Sequence, residues 1–174
     1  RESLLYIANL FGWNASNMRS TRKKDYVAPL KALASRSRKS NIRVPNEPIS
    51  ELALNNFRTI PDYGWLKEGI SLHTQEFYQV GYDYQSHRIT IPIRNENGEL
   101  IGVKGRLLKD EDRSDYNPKY MYLYNCNISQ EWFNMYNARD SILENKRVYI
   151  FESEKSVMKM HTFGYNNAVA ISSS

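Results

Sequence analysis

Residues 148–171 have the pattern of a strand, a helix and a second strand, and this pattern restricts the fold more than any other part of the chain. The apolar runs Val148–Phe151 and Ala168–Ile171 predict two buried strands. Between them, Ser153–Phe163 predicts a helix that ends at Gly164. Two strands joined by one crossover helix normally lie parallel in one sheet, with a right-handed connection. The sequence therefore predicts one β-α-β unit here.

Glu152 follows the first of these two strands directly. Ligands gather at the carboxyl ends of strands in parallel sheets, so an acid at this position can hold a metal ion or move a proton. The alternative is an acid at a helix start that only interacts favourably with the helix dipole. The spacing alone leaves both roles open.

A β-hairpin is predicted by Arg88–Arg94 and Leu100–Leu108, with a turn at Asn95–Gly98. Four basic side chains occupy same-parity positions within their own strands: Arg88, Arg94, Lys104 and Arg106. The isoleucines of the first strand would take the opposite, buried face. We therefore expect basic side chains on one face of the hairpin, which suits a phosphate-rich partner, although an ordinary solvated face gives the same pattern.

The segment Asn117–Tyr120 places a lysine and an aromatic residue directly after a proline. The rigid turn can direct Lys119 at a phosphate, and Tyr120 can stack on a base. An ordinary loop can also contain these residues, so the pattern by itself is not specific.

The basic charge is concentrated at one end of the chain. Residues 1–43 carry ten Lys/Arg and two Asp/Glu, a net charge of +8, whereas the remaining residues carry a net charge of −3. Such a segment can attract a phosphate backbone. A solvated helix face followed by a linker explains the charge equally well, and the linker would fall at 35–48.

Further elements are predicted from apolar periodicity and turn residues. Helices are expected at 3–11, 25–35, from Ser50 to Phe57, from Pro61 to Leu66, at 73–79 and near 129–138, with a short strand at Tyr120–Tyr124. The helices between residues 50 and 79 would form a small lobe before the hairpin.

Several protein classes are disfavoured by composition. A single cysteine, Cys126, excludes an internal disulfide, and with three scattered histidines it does not provide the clustered ligands of a structural zinc site. No apolar run is long enough for a membrane span, and no signal-peptide pattern opens the chain. We therefore expect a soluble intracellular protein without zinc.

Three segments, in this order along the chain, resemble motifs of DnaG-type DNA primases. They are Arg88–Arg94 with Ile101–Leu107, then Asn117–Tyr120, then Trp132–Ala138. A fourth segment, Val148–Val157, resembles the opening of the TOPRIM fold, which primases share with topoisomerases and some nucleases. The resemblance covers about residues 60–174.

The resemblance implies an α+β fold in which a helical and β-hairpin lobe precedes the first β-α-β unit of a TOPRIM domain. The expected divisions are a basic helical segment at 1–45, the N-terminal subdomain of a primase core at 46–145, and an incomplete TOPRIM subdomain at 146–174. Ser153 and Ser156 replace the usual glycine and a frequent aspartate of the motif, which is typical of phage-like members.

The resemblance also implies a set of functional residues. Glu152 matches the TOPRIM glutamate and would be catalytic and a metal ligand, with Mg²⁺ or Mn²⁺ as cofactor. Nucleic acid or nucleotide would be bound by Arg88, Lys104, Arg106, Lys119 and Tyr120. The implied partners are a single-stranded DNA template, NTPs, the RNA primer and a replicative helicase, in the cytoplasm of a bacterial or phage-infected cell.

The family's Asp-x-Asp metal motif would follow Ser174, so we expect this fragment to lack most metal-binding carboxylates and to make no primers by itself. Two alternatives to a primase are a TOPRIM nuclease or topoisomerase, and a non-catalytic module that binds single-stranded DNA. The hairpin and the Asn117–Tyr120 segment argue against the nuclease or topoisomerase.

Overall fold

The computed structural model describes residues 45–109 and 112–171. The helices predicted at 3–11 and 25–35 lie outside the described residues, as does the basic segment 1–43. The described residues form a four-stranded antiparallel sheet, a two-stranded parallel sheet and several short helices. This mixture of helix and strand confirms the predicted α+β class.

The strands are β1 (Gly81–Asp83), β2 (Arg88–Arg94), β3 (Leu100–Leu107), β4 (Tyr120–Tyr124), β5 (Tyr149–Phe151) and β6 (Ala168–Ala170). The α-helices are α1 (Tyr63–Lys67), α2 (Leu72–Phe77), α3 (Met135–Asn145) and α4 (Glu154–Thr162), and 3-10 helices cover Glu51–Asn56 and Ile128–Gln130. The first sheet has the order β1-β2-β3-β4, with antiparallel neighbours, and β5 pairs with β6 in parallel.

Short polar side chains fix the starts of three helices. In each case a side-chain oxygen accepts a hydrogen bond from a backbone N–H three residues later, which satisfies a donor that the helix leaves unpaired. The capping residues are Asp62, Ser71 and Ser153. None of the helices in the described part of the chain is both long and apolar enough to cross a membrane.

The main core lies between the isoleucine face of β2 and helix α4. Ile89, Ile91 and Ile93 are each at most 2% exposed and belong to the same buried cluster as Val157 and Met158. Burying each such side chain contributes about 1.5–3 kcal/mol relative to leaving it in water. This packing attaches the hairpin to the β5-α4-β6 unit.

The structure confirms the hairpin, the strand at Tyr120–Tyr124 and the parallel β-α-β unit. The prediction that the strand before Glu152 is buried was wrong, because Ile150 is 38% exposed. The helix predicted near 129–138 was also misplaced. Asn134 adopts the left-handed conformation, with φ 70°, and the α-helix begins after it at Met135.

Candidate functional site

The register between β2 and β3 separates the basic residues of the hairpin. Ile89 lies opposite Arg106 and Ile91 lies opposite Lys104, whereas Arg88 lies opposite Leu107. Directly opposed residues share a face of an antiparallel sheet. Lys104 and Arg106 therefore lie on the isoleucine face and Arg88 on the other, so the prediction of one common basic face was wrong. Period-two spacing groups residues within a strand, but only the register relates the two strands.

Arg88 is 0% exposed and holds the loop that precedes β4. Its guanidinium donates hydrogen bonds to the Asn117 side-chain oxygen at 2.6 Å and to the carbonyl oxygens of Pro118 at 2.8 Å, Lys119 at 3.2 Å and Gly105 at 3.4 Å. Burial lowers the pKa of Arg88 from its ordinary value. A guanidinium occupied in this way positions the loop and does not present itself to a ligand.

Gly105 leaves the space that Arg88 occupies. A Cβ atom at Gly105 would lie 2.9 Å from Cδ and 3.3 Å from Cβ of Arg88. The absence of a side chain at Gly105 therefore leaves room for the arginine that holds the loop.

Lys104 is 2% exposed and forms an ion pair with Glu154, which is also 2% exposed, at 2.9 Å. The Lys104 ammonium also lies 4.6 Å from the centre of the Tyr120 ring. Like Arg88, Lys104 is therefore inside the molecule. The sequence did not identify Glu154 as functional. A lysine on a core-facing strand position requires a carboxylate partner, but nothing in the sequence specifies which one.

Arg106, Lys119 and Tyr120 are half-buried and lie together at one edge of the sheet. Arg106 is the Cα partner of Tyr120, and the Leu107 amide donates to the Lys119 carbonyl at 2.9 Å. Arg106 and Tyr120 therefore share a face of the sheet, and Lys119 directly precedes Tyr120 in the chain. These three sequence-predicted residues retain exposure, and we call them the β3–β4 surface.

The pKa of Glu68, the residue directly after α1, is affected by positive charges near this surface. Its pKa is lowered chiefly by a hydrogen bond from Lys155, and the charges of Arg106 and Lys159 lower it further. The contributing cations come from β3 and from α4, so both elements place positive charge near Glu68.

Glu152 is exposed and lies immediately after β5. Helix α4 begins two residues later at Glu154, which pairs with Lys104 two residues before Arg106 on the same face of β3. The Lys104–Glu154 ion pair thus connects the start of α4, two residues after Glu152, to strand β3. Among residues 45–109 and 112–171, no three His, Cys, Asp or Glu side chains form a metal-binding group. By themselves, the described residues therefore do not make up a metal site.

Two further groups lie close to the Lys104–Glu154 pair. Burial, followed by the charges of Cys126 and Glu154, raises the pKa of the Tyr122 phenol to about 12. Burial likewise raises the pKa of the Cys126 thiol to about 11. Both groups are therefore uncharged at neutral pH, and Cys126 has no feature of a reactive thiolate.

The family described as the N-terminal domain of the DNA primase catalytic core matches residues 49–141. The match includes the hairpin, the loop held by Arg88 and the start of α3, and it ends before β5. It covers more than half of the chain.

Curated relatives agree with this match. The SPbeta prophage-derived uncharacterized protein YorJ of Bacillus subtilis is 31% identical over 173 residues, which cover 93% of this chain and 45% of YorJ. The DNA primase of Neisseria meningitidis is 32% identical over 92 residues, 51% of this chain and 15% of the primase. The chain thus spans less than half the length of these relatives. A prophage relative fits the phage-like character expected from Ser153 and Ser156.

Solved structures share the fold. The catalytic core of E. coli primase superposes with a TM-score of 0.52 and 20% identity over 64% of this chain and 47% of that one. The DnaG primase catalytic domain bound to single-stranded DNA superposes with a TM-score of 0.55 and 17% identity, over 70% of this chain and 51% of that domain. The RNA polymerase domain of Mycobacterium tuberculosis DnaG, in complex with double-stranded DNA that carries a 6-nucleotide overhang, superposes with a TM-score of 0.55 and 19% identity. The superposition covers 68% of this chain and 51% of that domain. The family match and these relatives confirm the resemblance to DnaG-type primases that the three motifs indicated.

Proposed function

The chain belongs to the family of the N-terminal domain of the DNA primase catalytic core, and from that premise we propose that it supplies the template-binding part of a primase. The intact protein would make RNA primers on single-stranded DNA during replication. The assignment of 146–174 to a TOPRIM subdomain is part of the same proposal, since the β5-α4-β6 unit has the parallel arrangement that the motif predicts.

The observation that carries this proposal is the placement of Arg106 opposite Tyr120, with Lys119 directly before Tyr120, in the pairing of β3 with β4. Arg106 and Lys119 would neutralise backbone phosphates, and Tyr120 would stack on a base. This combination of cations and an aromatic ring is how proteins hold single-stranded nucleic acid without reading its sequence. A related catalytic domain has been captured with single-stranded DNA.

Arg88 and Lys104 contribute to this surface from inside the molecule. Arg88 fixes the backbone carbonyl groups of Pro118 and Lys119, and so determines where the Lys119 side chain begins. Lys104 lies beneath the ring of Tyr120. We therefore assign both residues a positioning role in place of direct contact with nucleic acid.

Glu152 is the proposed catalytic carboxylate. In primer extension the 3′-hydroxyl oxygen of the primer bonds to the α-phosphorus of the incoming NTP, pyrophosphate leaves, and the hydroxyl proton must be accepted. An exposed carboxylate at the end of β5, beside a cationic surface that holds phosphates, is suited to accept that proton. The dependence on Mg²⁺ or Mn²⁺ stays a prediction from the family resemblance.

The remaining partners follow from the same premise. NTPs and the RNA primer would be substrates, and a replicative helicase, separate or fused, would deliver the template. A primase acts where chromosomes replicate, so we place the protein in the cytoplasm of a bacterial or phage-infected cell. A TOPRIM nuclease or topoisomerase is not favoured, because the primase-specific family match covers the hairpin and the loop.

Titration of a fluorescent oligo-dT with the 174-residue chain tests the proposal. Arg106→Ala and Lys119→Ala should each weaken binding and reduce the slope of log K against log salt by about 0.7, the value for loss of one single-strand phosphate contact. Arg139→Ala is the matched control, since it removes one exposed positive charge from α3. Equal affinities for all four proteins would refute the assignment of the β3–β4 surface.

A further inference from the structure

One buried ion pair connects the antiparallel sheet to the β5-α4-β6 unit. The Lys104 ammonium in β3 and the Glu154 carboxylate at the start of α4 are 2.9 Å apart, and each side chain is 2% exposed. Burying two charges carries a desolvation penalty that apolar residues of similar volume would not incur. Simple cohesion between the two elements therefore does not require this pair, whereas the 2.9 Å contact defines one point at which they meet.

The ion pair lies between the two halves of the proposed site. Lys104 precedes Arg106 by two residues on the same face of β3, and Glu154 follows Glu152 by two residues. The family match contains Lys104 but ends at residue 141, before Glu154. The contact thus links the part of the chain that the family match covers to the part that carries the carboxylate.

Two aromatic residues of β4 lie beside Lys104 of the pair. Tyr122 is the Cα partner of Lys104, and its buried hydroxyl group has no hydrogen-bond partner in the described part of the chain. The ring of Tyr120 lies 4.6 Å from the Lys104 ammonium. The pair is therefore withdrawn from water, and Glu154 accepts a hydrogen bond from the Lys104 ammonium at 2.9 Å.

We propose that Lys104 and Glu154 are positioning residues that hold the Glu152 carboxylate at a fixed separation from the β3–β4 surface. The proposal rests on the proposed function, because that surface is where the DNA phosphates would lie. It assigns the buried pair a role in site geometry in addition to any effect on stability.

The charge of Glu152 itself can report this geometry, without any measurement of catalysis. A carboxylate close to bound phosphates repels them, so Glu152→Gln should tighten oligo-dT binding by the native chain about threefold at low salt. In the Lys104→Met/Glu154→Gln background the start of α4 is no longer attached to β3 by the ion pair. There the same substitution should change affinity by less than about 1.5-fold, because repulsion falls with distance and screening.

An Ile142→Ala background controls for loss of stability alone. Ile142 is a buried residue of α3 outside the site, and in this background Glu152→Gln should keep its effect of about threefold. If the Lys104→Met/Glu154→Gln protein does not fold, Glu154→Asp replaces it, since it shortens the acid by one methylene and should give an intermediate effect of about twofold.

The outcomes separate the two proposals. If Arg106→Ala binds DNA as well as the native chain, the proposed function is refuted, regardless of the effect of Glu152→Gln on affinity. If Arg106→Ala weakens binding but Glu152→Gln has the same effect with and without the ion pair, the function stands and the positioning role is refuted. Absence of any Glu152→Gln effect in the native chain also refutes it, since the carboxylate would then lie far from the DNA.

Discussion

The guanidinium of Arg88 lies 2.6 Å from the side-chain oxygen of Asn117, and this bond ties strand β2 to the loop before β4. A second bond reaches the Pro118 carbonyl at 2.8 Å. Lys119 follows in the chain, so the placement of a residue proposed to contact DNA depends on a residue that is itself buried.

Replacing Arg88 with methionine should lower the free energy of unfolding by about 3 kcal/mol, because it leaves buried acceptors without a donor. Urea denaturation measures this loss. Arg94→Met is the matched control, since Arg94 pairs with Glu51 at a surface where the two side chains are 25% and 57% exposed. That variant should lose at most about 1 kcal/mol, and equal losses would contradict the role given to Arg88.

Tyr120→Ala should weaken oligo-dT binding by about 1 kcal/mol, because the variant cannot stack on a base. Tyr120→Phe keeps the ring and should bind within about twofold of the native chain. Fluorescence titration distinguishes the two variants. Similar weakening by both would mean that the hydroxyl group, and not the ring, contacts the DNA.

Stability should fall as the pH is lowered below about 6.5, the ordinary histidine pKa. Burial, followed by the nearby charge of His73, lowers the pKa of His161. The unfolded chain therefore binds a proton that the folded chain does not, and the free energy of unfolding rises with pH through this range. Urea denaturation at about pH 5.5 and 7.5 should show a smaller difference for His161→Gln than for the native chain. His87→Asn, at an exposed position, should not reduce it.

Cys126 should react slowly with a thiol reagent in the folded chain. With its pKa raised to about 11 by burial, only on the order of a thousandth of the thiol is ionised near pH 7.5, and the thiolate is the reactive form. A colourimetric disulfide reagent should therefore react at least about tenfold faster with the chain in denaturant. Equal rates would show that the thiol is neither buried nor shifted.

The local patterns predicted most elements because each had its own signal. Tyr120–Tyr124 matches β4 to the residue, and Ser153 caps α4 where the helix was expected to start. Strand β1 was not predicted, because three residues are too few for a recognisable alternation. The burial of Val148–Phe151 was overestimated, since an apolar run does not show whether neighbours cover both faces.

The candidate site was predicted only in part, because its geometry depends on contacts distant in sequence. Arg106, Lys119 and Tyr120 are neighbours in the pairing of β3 with β4, but Lys104 and Arg88 face inward on opposite sides of the sheet. The register that separates them is set by pairing between strands. Glu154 was missed because its partner lies 50 residues away.

Photo-cross-linking is the most direct test of whether DNA lies along the β3–β4 surface. Oligo-dT carrying 5-iododeoxyuridine would be irradiated with the 174-residue chain, and the modified residue would be located by mass spectrometry. The account predicts attachment at Tyr120, with the yield reduced in Arg106→Ala. Attachment confined to residues 1–43, with none between β3 and β4, would contradict it.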